Sequence, residues 1–338
     1  MDKKEVTIYD IARQLGLSPS TISKGLKGHP TISQKTQRKI AATAESMGYR
    51  FNTFAANLRK NRTNTIGLIV PRLNSLFVSQ VIAGIEKATN DAGYNLIISQ
   101  SLEHMEKEVR NVKTMLSNRV DGLLVSLAED TANFDHFNIF KEKSIPLLFF
   151  DRVPFGHDFP SVSINNEVAG YQVARHLIEQ GAKKLVHITG NQLRNVYADR
   201  CAGFQRAIEE AGLPFTEEQL IISELSEAAG IAAASTIIDL KADGVFVSND
   251  VCAASLMNEV QRRGFKVPGD ILFAGFNNDM ISRNVFPPLT TVDYPGFEMG
   301  ELAAKSMLSH LNNQSDINLT ENIIIKSSLV VRQSSMRG

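Results

Sequence analysis

The chain has 338 residues, 21% charged and 43% hydrophobic, with a mean hydropathy of −0.11. These are ordinary values for a globular protein, and the length suits two or three compact units. No stretch approaches the ~18 consecutive apolar residues of a membrane span, and the opening MDKKEVTIYDIARQLG lacks the apolar run of a secretory signal. Two cysteines, Cys201 and Cys252, are too few for a disulfide scaffold or a cysteine-based metal site. A reduced, cytoplasmic setting is expected, with no metal, no cofactor and no membrane partner. The overall charge of zero hides a partition. Residues 1–62 hold twelve Lys/Arg against four Asp/Glu, a net of +8, so the remainder carries −8. A basic head on an acidic body points to a polyanion partner, because each cation that meets a phosphate releases condensed counterions. Charge alone also allows a solvated surface that binds nothing.

The head reads as short helices with clear stops. Thr7 with Asp10 three residues on suggests a capping box ahead of Ile8, Ile11, Ala12 and Leu15, and Gly16 permits a tight turn. Ser18 is an N-cap with Pro19 at the first helical position, and Gly28, His29 and Pro30 end that second helix. Ser33 opens a third, amphipathic helix that stops near Gly48. Two short helices joined by a glycine turn, with a third behind, make a helix-turn-helix unit.

From residue 64 on, apolar strand-like runs (65–70, 95–99, 122–126, 146–150, 184–189, 220–223, 244–248 and 271–276) alternate with helical stretches. The helices are predicted near 77–92, 105–118, 166–180, 199–211, 228–240, 251–264 and 296–312. Alternation of this kind implies parallel sheets covered on both faces. Eight units exceed a comfortable single sheet, so two lobes are expected. The motifs of catalysis are missing: there is no phosphate loop, no G-x-G-x-x-G, no H-E-x-x-H and no G-x-S-x-G. An enzyme is not expected, and no residue is assigned a catalytic role.

The features T-I-Y-D-I-A, S-x-x-T-I-S, I-S…T-x-x-K-I, M-G-Y, N-x-x-A-x-x-L and T-x-x-I-G-x-I-V-P follow one another from Thr7 to Pro71. In that order the chain resembles the LacI/GalR family of bacterial transcription regulators, and the resemblance runs on to about residue 332. It implies an all-α helix-turn-helix head on an α/β two-lobed, periplasmic-binding-protein-like core of parallel sheets flanked by helices. The implied boundaries are a head at 1–50 and a hinge helix and linker at 51–63. The N-terminal lobe would be 64–161 plus 292–322, and the C-terminal lobe 162–291 plus 323–332. The crossovers are expected at 161–164, 290–293 and 323–327.

The resemblance also assigns residues. The second helix should enter the major groove, with Pro19, Ser20 and Lys24 reading bases. Lys24 can donate to guanine O6 or N7, without the bidentate fork of the Arg that many relatives carry there. Thr7, Tyr9, Ser18, Thr21, Ser23 and His29 are candidates for phosphate contact, which positions without specifying. Lys27, where many relatives have Asn, either adds a phosphate contact or stays solvated. The segment 52–60 resembles the hinge helix that folds on DNA, beginning at Asn52. Ala55 there is small enough for two such helices to approach, and Leu58 matches the leucine that wedges into the minor groove.

In the cleft between the lobes the resemblance implies effector contacts from Asn74, Phe77, Asp151, Arg152, Asn165, Arg200, Asn249 and Asn277. Asp250 is either a further contact or a helix N-cap. Many relatives have Asp at the positions of Asn165 and Asn277. Neutral amides there, beside Arg152 and Arg200, suggest an anionic effector such as a sugar acid or sugar phosphate. The expected protein is a homodimeric repressor on palindromic double-stranded operator DNA, with the dimer contact mainly on the 65–160 lobe, released by a sugar-like effector. An activator, a co-repressor-dependent regulator and an uptake solute-binding protein are the alternatives. No leucine heptad follows residue 332 to build a tetramer.

Overall fold

The computed structural model describes residues 6–49, 62–156, 159–319 and 322–337. Backbone contacts divide the chain into a head, Met1–Thr63, and a body, Asn64–Gly338.

The head holds α1 (Ile8–Leu15), α2 (Pro19–Leu26) and α3 (Gln34–Ser46). The Asp10 carboxylate reaches back to accept from the Thr7 backbone N–H at 2.9 Å, which secures the start of α1. Gly16 ends α1 in the left-handed region at φ 64°. Ser18 Oγ accepts from Thr21 N and Ser33 Oγ from Thr36 N, so each later helix opens on its expected cap. Ile11, Ile22 and Ile40, one from each helix, are fully buried and form the centre of this small core.

The body contains two six-stranded sheets. Its strands are β1 (Thr65–Val70), β2 (Asn95–Gln100), β3 (Gly122–Val125), β4 (Leu147–Phe150), β5 (Ser161–Ile164), β6 (Leu185–Thr189), β7 (Leu220–Ile222), β8 (Gly244–Val247), β9 (Leu272–Asn277), β10 (Thr290–Asp293), β11 (Asn322–Ile325) and β12 (Ser328–Val330). The first lobe has the order β11-β5-β4-β3-β1-β2, parallel throughout. The second has β12-β10-β9-β8-β6-β7, with only β12 antiparallel to its neighbour. The helices are α4 (Leu76–Asp91), α5 (Met105–Ser117), α6 (Asn138–Glu142), α7 (Asn166–Glu179), α8 (Asn195–Glu210), α9 (Glu227–Asp239), α10 (Asp250–Arg262), α11 (Met280–Asn284) and α12 (Gly296–Leu311).

Both faces of each sheet are covered, as continuous apolar strands require. Ile66, Leu68 and Val70 of β1 pack toward Val81 and Ile85 of α4, while Ile69 faces Val112 and Met115 of α5. In both lobes helices come into backbone contact through glycine. A Cβ at Gly84 of α4 would collide with the Phe297 carbonyl, and one at Gly300 of α12 with that of Val81. Gly170 of α7 and Gly203 of α8 repeat the arrangement against Arg200 and Glu167.

Strand pairing moves the lobe boundaries from those expected. β5 pairs with β4 and β11, so 162–164 belong to the first lobe, and β11 carries 323–325 into it as well. β10 pairs with β9 and β12, which puts 292–293 in the second lobe. The chain therefore crosses after Ile164, Asp293 and Ile325. Backbone ladders decide this, and side-chain pattern does not distinguish one sheet edge from the other. α8 also begins four residues earlier than the predicted 199.

Candidate functional site: an exposed recognition face and an interlobe cleft

On α2 the core side is Ile22 and Gly25, and Ser20 and Lys24 are exposed with Pro19, Thr21 and Ser23 half-buried beside them. Lys24 and the exposed Lys27 form no ion pair among the described residues, so both ammonium groups are open to an anion. Tyr9 is 63% exposed. Three of the expected phosphate contacts have local duties first. The Thr7 hydroxyl donates to Asp10, Ser18 Oγ caps α2, and His29 Nδ1 lies 2.9 Å from Thr31 Oγ1. Asn52, Ala55 and Leu58 lie outside the described residues.

The cleft is built at the carboxyl ends of the strands, where open α/β sheets take ligands. Asp151 follows β4 with φ 58°, which directs its carbonyl and its carboxylate to different partners. Its Oδ1 accepts from Tyr294 Oη at 2.5 Å, its Oδ2 from Ser126 Oγ at 3.3 Å, and its carbonyl from Asn195 Nδ2 at 3.1 Å. Burial raises the Asp151 pKa, opposed chiefly by the Arg152 charge. Arg152 is bound to Glu103 at 2.6 Å and donates to Tyr197 Oη at 3.2 Å. Although burial opposes its charge, Tyr197, Glu103 and Asp151 together raise its pKa.

Arg200, 3% exposed, donates to Asn166 Oδ1 at 2.9 Å and to the Ser248 carbonyl at 3.2 Å, and its guanidinium lies 3.5 Å from the Phe276 ring centroid. It makes no ion pair among the described residues, and burial lowers its pKa. Phe77 stacks on Tyr294 at 4.2 Å and Phe276 meets Tyr294 edge-on at 5.6 Å, so a ring wall joins the lobes' polar groups.

Of the eight expected effector residues, Phe77, Asp151, Arg152 and Arg200 come together. The others have different surroundings. Asn165 is the exposed N-cap of α7, accepting from Val168 N. Asn249 caps α10 through Cys252 N and donates to the Leu225 carbonyl, so both ends of its amide serve the fold. Asn277, half-buried at φ 109°, donates to Asp279 Oδ2 at 3.4 Å. Asn74 is exposed. Asp250 is not the N-cap: it is the first residue of α10, fully buried, accepting from Thr291 Oγ1 and Asp279 N. Burial pushes its carboxyl up to about 8.

The sequence pattern did not single out Glu103, Ser126, Asn166, Asn195, Tyr197, Phe276 and Tyr294, because their roles depend on partners tens of residues away. Tyr294 alone carried a signal, since it directly follows a predicted crossover. A separate cavity of about 250 Å³ on the first lobe, lined by Leu148, Ser161, Lys305, Ser309 and Ile323 among others, shares none of these residues. Among the described residues no helix is long and apolar enough to cross a membrane.

A helix-turn-helix head with an open cationic face, followed by two α/β lobes around a polar cleft, is the build of a DNA-binding regulator. Residues 7–52 match the family described as bacterial regulatory proteins, lacI family, and residues 174–335 match the periplasmic binding protein-like domain. Catabolite control protein A of Priestia megaterium is 30% identical over 313 residues, 92% of this chain and 94% of that protein. The HTH-type transcriptional regulator DegA of Bacillus subtilis (strain 168) is 30% identical over 335 residues, 98% of each chain. The lac repressor dimer, solved bound to operator and the anti-inducer ONPF, shares the fold with a TM-score of 0.88 at 22% identity, covering 99% of this chain and all of that one. This chain belongs to the lacI family of bacterial regulatory proteins, whose members bind DNA and regulate transcription.

Proposed function

We propose that the protein is a cytoplasmic, non-enzymatic transcriptional repressor that binds a palindromic operator as a homodimer and is controlled by a small polar effector in the interlobe cleft. The observation that carries the DNA-reading part is the α2 face, where Ser20 and Lys24 are exposed opposite a buried Ile22 and Gly25. Pro19, Ser20 and Lys24 read bases, and the basic head supplies the phosphate contacts. Leu58 wedges into the minor groove, so Leu58→Ala weakens operator binding far more than binding to unrelated DNA.

Dimerisation has support on the first lobe, where Leu73, Leu76, Ile98 and Leu102 are exposed around the edge strand β2. Phe286 and Met280, 79% and 69% exposed, are large apolar side chains open on the second lobe. For the effector, the ring wall of Phe77 and Phe276 beside Asp151 and Arg200 suits a hydroxylated ring. The anionic version, a sugar acid or sugar phosphate, rests on Arg200 alone, since Glu103 already neutralises Arg152.

The test is selection of genomic fragments by the purified protein, with and without neutral and acidic sugars. A palindrome released by one compound supports an inducible repressor. A palindrome recovered only with a compound present replaces that reading by co-repression, and no enriched sequence removes the regulatory reading. If only neutral sugars act and Arg200→Ala changes nothing, the anionic effector goes.

A further inference from the structure

Four hydrogen bonds cross from one lobe to the other out of a single turn at the start of α8. Arg194 Nη2 donates to the Thr131 carbonyl at 2.5 Å. Asn195 Nδ2 donates to the Asp151 carbonyl at 3.1 Å, and its Oδ1 accepts from Val153 N at 2.9 Å. Tyr197 Oη accepts from Arg152 Nη2 at 3.2 Å. Asn195, 4% exposed, thus exchanges one donor and one acceptor with the backbone of the first lobe, as a neighbouring strand would.

The receiving surface is held firmly from within its own lobe. The fully buried Glu108 carboxylate accepts from Ala128 N at 2.8 Å and Thr131 Oγ1 at 3.0 Å, and lies 2.9 Å from His136 Nε2. Glu103 accepts from Glu129 N at 3.0 Å and grips Arg152. Asp151, in the left-handed region, turns its carbonyl to Asn195 while its carboxylate faces Tyr294. The loops that meet α8 are therefore held by contacts within the first lobe. Each polar atom of the Asn195 side chain makes one bond in this contact, so the residue positions the lobes.

We infer that Arg194, Asn195 and Tyr197 form a latch between the two lobes that favours their closed arrangement, and so helps set the closed-to-open ratio on which an effector acts. A ligand shifts a two-state equilibrium only by its differential affinity for the two states. An effector that favours opening must overcome these bonds, and one that favours closing works with them. The inference rests on the regulatory reading of the cleft, but the two can fail separately.

The test uses the full chain with distance labels at Glu106→Cys and Glu224→Cys, exposed positions on either lobe; Cys201 and Cys252 are buried. Asn195→Asp keeps the size of the side chain but sets an oxygen against the Asp151 carbonyl. It is expected to shift the closed-to-open ratio by roughly tenfold or more toward longer distances. Tyr197→Phe, which removes one bond and no packing, should shift it in the same direction by less, and serves if Asn195→Asp fails to fold. Leu193→Ala, at an exposed neighbour, should leave the distances as they are. Parent-like distance distributions in both latch variants would overturn the inference. Operator titration run in parallel separates the two readings: a parent that binds no operator removes the regulator and leaves the latch, whereas unchanged distances remove only the latch.

Discussion

Lys24 is exposed on α2 with Ser20 on the same side and the helix's buried residues, Ile22 and Gly25, on the other. Its replacement by Ala should leave the thermal midpoint of the head unchanged and relax sequence choice at one symmetric base pair, by ~1–3 kcal/mol per half-site. Titration against operators altered at each base pair in turn measures that loss. His187 carries a different kind of expectation. It is fully buried, stacked on Phe246 at 4.4 Å and 3.0 Å from Ser248 Oγ, and burial with the nearby Arg200 charge lowers its pKa to about 3. The unfolded chain therefore takes up this proton first, and the stability that neutral His187 contributes is lost as pH falls from about 6.5 toward 3. Denaturant unfolding at about pH 4.5 and 6.5 should show a difference of about 2 kcal/mol from this group, absent in His187→Gln. Caps were legible at this scale, because Ser18 and Ser33 act within three residues of themselves. The partners of Arg152 and Arg200 were not. Glu103 lies 49 residues from the first, Asn166 34 from the second, and only the fold joins them.

The elements follow their local signals where those signals exist. Long strands and helices stood out by apolar runs and periodicity. α6 and α11, of five residues each, are too short to show a period. The start of α8 was hidden for another reason: its N-cap is Arg194, which makes no capping bond, so no Ser, Thr, Asp or Pro marked the turn that carries the latch. The glycine pairs hold a testable consequence. Gly84 and Gly170 sit where helix backbones touch, so an added methyl must push α4 from α12 or α7 from α8. Gly84→Ala and Gly170→Ala are each expected to cost about 1–3 kcal/mol in urea unfolding. Gly170→Ala should additionally displace Arg200, whose backbone it strikes. Unchanged midpoints would mean that the helices tolerate wider spacing.

For the whole molecule, two covered parallel sheets were legible in the alternating pattern, and the family resemblance supplied the two-lobed plan. The resemblance also named the crossover segments, but not the sheet that each one joins, because β5, β10 and β11 carry nothing in their side chains that tells one sheet from the other. Charge was legible from the first: a head of +8 on a body of −8. That partition leads to the central claim, that the head binds DNA by neutralising phosphates while the α2 face chooses the sequence. The most direct measurement is the affinity for the recovered operator as salt is raised. For six or more phosphate contacts it should fall roughly a thousandfold or more between about 50 and 200 mM salt, on a linear log–log slope of about −0.9 per contact. A flat response would contradict the claim.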